Sequence, residues 1–130
     1  MEKIINKKGE TKMTWAKLLL VIGTIESNID PNAIGDNGKA YGQYQLWEIY
    51  IDDVNRTHGT NFTHQDAFDV EKAEQIVMLY TTYWCKKRNL PLTAENICRF
   101  HNGGSGWIFK PHLTDSYWNK CKIVIDDMGQ

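Results

Sequence analysis

The chain has 130 residues, 42% hydrophobic and 24% charged, which fits one domain with a single core, and nothing in it suggests two. Its 15 basic and 16 acidic side chains give a formal net charge of -1 and are scattered, so no stripe follows a phosphate backbone and nucleic acid is excluded as an expected partner. Cys85, Cys98 and Cys121 are odd in number and lack CxxC spacing. They read as buried thiols rather than a zinc site or a disulfide framework, with one disulfide plus a free thiol as the alternative. His58, His64, His101 and His112 show no metal-ligand spacing either, so neither a metal nor an organic cofactor is expected.

In chain order, residues 1 to 12 are polar and Lys-rich and read as a loose N-terminal arm. The apolar run Trp15 to Ile22 superficially resembles a secretory signal, but no small-x-small cleavage site follows it. It is also far short of the about 20 apolar residues that span a bilayer. Leu18, Leu19, Ile22 and Ile25 instead form one face of a core helix, capped by Thr14 and running to about Glu26 or Ser27. Asn28 to Asn32 is turn chemistry. Ala33 to Gly42 has the form of a short hairpin, with Asn37-Gly38 suited to a type I′ turn. Helical spacing returns from about Leu46, and Thr57 to His64 reads as loop. Asp69 caps the most regular helix, Thr93 opens another that Gly103-Gly104 closes, and Thr114 and Asp115 begin the last. The expected class is α+β, predominantly α, in a single domain over residues 1–130.

Two residue-level readings of Glu26 stand side by side. It ends an apolar helix face, where partial burial raises a carboxyl pKa and leaves a proton available for a leaving-group oxygen. Position alone favours a solvated glutamate at a helix C-terminus, although a carboxylate there is mildly unfavourable against the dipole. The 5 Trp and 6 Tyr are open in the same way, since they either fill the core or line a groove for a ligand with apolar faces and polar edges.

The neighbours separate these readings through a resemblance. Ile25-Glu26-Ser27 followed by Asp30-Pro31-Asn32-Ala33-Ile34 resembles the Glu-Ser motif of soluble lytic transglycosylases and goose-type lysozymes. Gly42-Gln43-Tyr44-Gln45-Leu46 is similar to their Gly-x-x-Gln motif. Arg99 to Gly104 resembles the aromatic-x-Asn-small-Gly segment, and Tyr117-Trp118-Asn119-Lys120 the closing Tyr motif. The stretch Ala33 to Leu46 looks most like small phage-encoded members. The resemblance implies a lysozyme-like fold with one small hairpin and a two-lobed glycan groove. It also implies cleavage of the β-1,4 bond between N-acetylmuramic acid and N-acetylglucosamine in peptidoglycan. It makes Glu26 the general acid, Ser27 an orienting group, and Gln45 a hydrogen-bond partner of the sugar at the scissile bond. Asn102 would contact the N-acetyl or peptide portion, and Tyr117 would approach the acid. Tyr41, Tyr44, Trp47 and Trp107 are candidate groove walls, with core packing the stronger reading of Trp47. The pattern departs at His101, where an aromatic residue is usual, and at Gln43, where an apolar one is.

Asp36 is the candidate second carboxylate, since the hairpin turn could project it toward the substrate. An Asp beside a tight turn also commonly bonds its own backbone. Glycosidases with two carboxyl groups hold them about 5 to 5.5 Å apart when retaining and about 6.5 to 9.5 Å apart when inverting. Lytic transglycosylases work with one. Hydrolysis and transglycosylation therefore both remain open, as do a chitinase-like activity and a non-catalytic wall-binding or virion-structural module of the same fold. The expected protein is a monomer without a membrane span, made in a cytoplasm and acting on glycan strands of the bacterial wall.

Overall fold

The computed structural model describes residues 2–129; Met1 and Gln130, the ends of the expected domain, lie outside them. Five helices carry the chain: α1 (Trp15–Ser27), α2 (Glu48–His58), α3 (Val70–Lys87), α4 (Ala94–Gly103) and α5 (Asp115–Gly129). Between α1 and α2 lies one antiparallel hairpin, β1 (Ile34–Gly35) and β2 (Ala40–Tyr41), in which Ile34 pairs with Tyr41 and Gly35 with Ala40. The architecture is thus the expected mostly helical one with a single small hairpin.

The helix starts follow from local chemistry. The Thr14 hydroxyl accepts from the Lys17 N–H at 3.1 Å, the Asp69 carboxylate from the Lys72 N–H at 3.0 Å, and the Thr93 hydroxyl from the Asn96 N–H at 3.2 Å. Each satisfies an amide that the first turn leaves without a partner. Gly104, at φ 83°, closes α4 by donating to the Phe100 carbonyl. The stretch expected as loop after Thr57 is partly ordered. α2 reaches His58, and a 3-10 turn, His64–Phe68, forms behind a reciprocal capping box of Thr63 and Asp66.

Contacts divide the chain into two compact units, one of Met1–Ile22 with Thr81–Gln130, the other of Gly23–Tyr80. In the first, α4 packs on α5 and the buried side chains include Leu18, Ile22, Ile97, Phe100 and Cys121. The N-terminal segment belongs to this unit rather than hanging loose. Ile4 is 1% exposed, the Ile5 N–H donates to the Leu92 carbonyl at 2.9 Å, and the Trp15 indole donates to the Glu2 carbonyl at 3.0 Å. An apolar side chain among lysines sufficed to anchor it. In the second unit the core includes Tyr44, Leu46, Ile51, Val54, Ile76 and Val77. Gly42, at φ 83°, passes so close to the Ala67 carbonyl that a Cβ has no room, which fixes where β2 can lie.

Candidate active site

Most of the residues singled out in the sequence fall in the unit Gly23–Tyr80. Glu26 occupies the last turn of α1 and is half-buried. The chain leaves the helix abruptly, with Asn28 and Ile29 both at positive φ (57° and 62°). That conformation is unfavourable for a β-branched residue by about 1 to 2 kcal/mol, so the surroundings must impose it. They do so through Ser27, whose hydroxyl donates to the Gln43 carbonyl at 2.8 Å and accepts from the Asp30 N–H at 3.0 Å. The Ile29 N–H returns to the Gly23 carbonyl at 3.1 Å, and Gln43 packs against Gly23. Ser27, the last residue of α1, is therefore the clamp that ends the helix one residue past Glu26. Gln43 points inward, 8% exposed, with its amide donating to the Tyr44 hydroxyl at 3.3 Å.

Tyr50 lies within electrostatic reach of Glu26 and stacks on Tyr80 at 3.8 Å between ring centroids. Burial first, then the charges of Tyr80 and Glu26, push the Tyr50 phenol well above its usual range. It therefore stays a neutral phenol across physiological pH. Sequence reasoning did not single out Tyr50, which falls in the stretch of helical spacing after Leu46. Nothing local in the sequence marks its neighbourhood to Glu26.

The hairpin differs from its expected form. Since Gly35 pairs with Ala40, four residues rather than two make the connection, and Asp36, Asn37 and Gly38 all have positive φ (49°, 58° and 87°). The Asp36 carboxylate is exposed and does not bond its own turn; its Oδ2 accepts from the Trp47 indole N–H at 3.1 Å. Trp47, for which core packing was the stronger reading, is instead 39% exposed, with the Lys39 ammonium 5.6 Å from its ring centroid. Gln45, itself at φ 53°, donates its amide N–H to the carbonyls of Gly42 at 3.0 Å and Ala33 at 3.4 Å. That ties the hairpin base and sets the Gln45 Oε1 against Gly35, where a larger residue would collide.

The candidate groove walls separate by burial. Tyr44 is 1% exposed, donates its hydroxyl to Glu74 at 3.0 Å, and so belongs to the core rather than to a surface a glycan touches. Burial, then Glu74, drives its phenol far above the usual range. Tyr41 is half-buried, its ring stacked on His64 at 3.7 Å and on Phe68 at 4.7 Å. His64 Nε2 lies 2.8 Å from the Leu46 carbonyl, so that nitrogen carries the proton.

In the other unit, Asn102 is exposed in the last turn of α4 and Tyr117 is buried in the first turns of α5. Trp107 stands edge-on to Phe100 at 5.7 Å and carries the Arg99 guanidinium over its face at 5.3 Å. His101 is buried. All three cysteines are free and buried, and burial, then the Glu2 charge, pushes the Cys85 thiol up to about 12. A cavity of about 360 Å³ in this unit, lined by Ile5, Met13, Trp118 and Ile125 among others, contains none of the expected site residues. Among the described residues, no group of His, Cys, Asp and Glu could hold a metal ion, and no helix is long and apolar enough to cross a membrane.

No protein-family model matches the sequence, and no curated protein does. Two solved structures are similar to the chain. One is a chain of Aeromonas hydrophila PliI in complex with Meretrix lusoria lysozyme, with a TM-score of 0.70 and 26% identity over 93% of this chain and 91% of that one. The other is Tapes japonica lysozyme, with a TM-score of 0.69 and 22% identity over 92% of this chain and 90% of that one. With the helices, the hairpin and near-complete coverage in both directions, the chain has a lysozyme-like fold.

Proposed function

We propose that the protein is a glycosidase of peptidoglycan, cleaving the β-1,4 bond between N-acetylmuramic acid and N-acetylglucosamine with Glu26 as the general acid. One observation carries this reading. In a chain with a lysozyme-like fold, the sole acidic residue of α1 stands half-buried in its last turn beside a phenol that stays neutral. Glu26 donates its proton to the glycosidic oxygen as the bond from that oxygen to the anomeric carbon breaks. In the hydrolytic course, a water attacks the anomeric carbon and its proton passes to a carboxylate, leaving a reducing end. In the transglycosylating course, the 6-hydroxyl of the muramic acid attacks and returns its proton to Glu26, leaving a 1,6-anhydro end.

Asp36 favours the hydrolytic course. Its carboxylate is exposed, and its one described side-chain partner is an indole N–H on Oδ2, so Oδ1 has acceptor capacity for a water. Within the unit that carries Glu26, Gln45 and Tyr41, both half-buried, are the candidate substrate contacts. Ser27 serves by fixing the backbone behind Glu26. A phage origin draws no support from the two similar structures, whose lysozymes come from Meretrix lusoria and Tapes japonica.

Digestion of purified peptidoglycan, read by mass spectrometry, tests the reading. The wild type is expected to release muropeptides with reducing ends, and Glu26→Gln to release none above background. Anhydro ends alone would replace hydrolysis by transglycosylation. Equal, negligible release by both proteins would leave a wall-binding module of the same fold.

A further inference from the structure

Trp47 is a poor choice for the place it occupies. It sits at the N-cap of α2, where Ser, Thr, Asp or Asn would satisfy a free amide, and its side chain makes no capping bond. It also leaves a large aromatic ring 39% exposed. Where local chemistry conflicts with the helix it begins, the residue is doing something the helix does not require. Its side chain makes an indole N–H bond to Asp36 Oδ2 at 3.1 Å and carries Lys39 over the ring at 5.6 Å. Asp36 has the complementary oddity. It stands at φ 49°, beside Asn37 at φ 58° and ψ 38°, and its exposed carboxylate bonds the Trp47 indole rather than its own turn.

We infer that Trp47 is the positioning residue of Asp36: its indole N–H pins one carboxylate oxygen and leaves the other presented to the substrate side of the hairpin. This rests on the proposed function, in which that second oxygen holds the attacking water. The exposed carboxylate on a four-residue loop would otherwise rotate about χ1 and χ2, and small misplacement of a catalytic group costs rate rather than binding. Lys39 on the ring restrains the indole in turn.

Trp47→Phe keeps the ring and removes the donor. On peptidoglycan it is expected to lower kcat about 10- to 100-fold while leaving KM within about twofold. The fraction of anhydro ends should rise in the same direction as in Asp36→Asn, since loss of the held water leaves the 6-hydroxyl as attacker. A thermal melt equal to the wild type excludes a folding cause. Independently of activity, the Trp47 Nε1–H resonance of the wild type is expected to shift in Asp36→Asn. Wild-type kcat in Trp47→Phe, a raised KM at unchanged kcat, or an indole resonance indifferent to Asp36→Asn would each overturn the role. If the wild type releases no ends at all, the proposed function falls and takes this role with it; failure of the role alone leaves the wild type active.

Discussion

Arg99 and Asp36 are both charged side chains held by hydrogen bonds, and they are held in opposite ways. Arg99, 8% exposed, gives its Nε to Glu95 at 2.9 Å and one terminal nitrogen to Asp115 at 2.7 Å, Thr114 at 2.8 Å and the Pro111 carbonyl at 3.2 Å. Its flat face is covered by Trp107. Asp36 is exposed, stands on a strained backbone, and has one described side-chain partner. A buried charge needs many partners to offset lost hydration, and once it has them little capacity remains for a ligand. An exposed, incompletely partnered carboxylate keeps that capacity. Arg99, which lies inside the sequence segment that resembles a catalytic motif, is accordingly a scaffold residue joining α4 to the start of α5. Asp36, whose turn chemistry made it look ordinary, has the open valence.

On that contrast, substitutions in the two regions should separate activity from stability. The largest effect is expected for Glu26→Gln, a fall of about 10²- to 10⁴-fold in the rate of peptidoglycan clearing. Its melting temperature should stay that of the wild type, and a melt lowered in step with activity would place Glu26 among the scaffold groups. Arg99→Leu is expected to do the reverse. It removes the guanidinium's bonds to Glu95, Asp115, the Thr114 hydroxyl and the Pro111 carbonyl; that hydroxyl and carbonyl keep their mutual bond at 3.0 Å, and the two carboxylates are exposed enough to rehydrate. A loss of about 2 to 3 kcal/mol in urea unfolding follows; a loss under about 0.5 kcal/mol would mean the cluster is ornamental.

Thr93→Ala probes the same scaffold more gently. The cap of α4 is a single 3.2 Å bond, and its removal is expected to cost about 1 kcal/mol with no change in the ends released. The smallest effect concerns pH. The Thr63 backbone N–H, and then Lys72, hold the Asp66 carboxyl below its usual range despite some opposing desolvation. Its folded pKa is thus below its unfolded value near about 3.9. The contribution is present above that unfolded value and is lost as pH falls through the folded one. The stability gap between wild type and Asp66→Asn should therefore narrow as urea unfolding is repeated from pH 7 down past about 4; a gap that widens would reverse the sign.

Helix starts were legible because capping is local. Thr14, Asp69 and Thr93 each satisfy an amide within three residues, and the residue type states the job. The Gly103-Gly104 stop was legible for the same reason. The hairpin was legible as a hairpin, but its loop length was not. Asn37-Gly38 suits a two-residue turn, and the pairing of Gly35 with Ala40, tied by Gln45 and by Gly42 against Ala67, made it four. Burial was the least legible quantity. Tyr44 and Trp47 lie three residues apart with similar local surroundings, yet one fills the core and the other stands in solvent. The missed neighbourhood of Tyr50 and Glu26 joins residues 24 positions apart across a loop, a distance no periodicity reaches.

By itself, then, the sequence determined the helices, the caps at Thr14, Asp69 and Thr93, and the existence of the hairpin, because each depends on hydrogen bonds and apolar spacing within a few residues. Tertiary structure decided which aromatic rings are buried, that Ser27 clamps backbone, that Arg99 ties α4 to the start of α5, and that Asp36 accepts from Trp47. Those depend on which chain segments meet, and a side chain's remaining capacity to bind is fixed only once its other partners are in place.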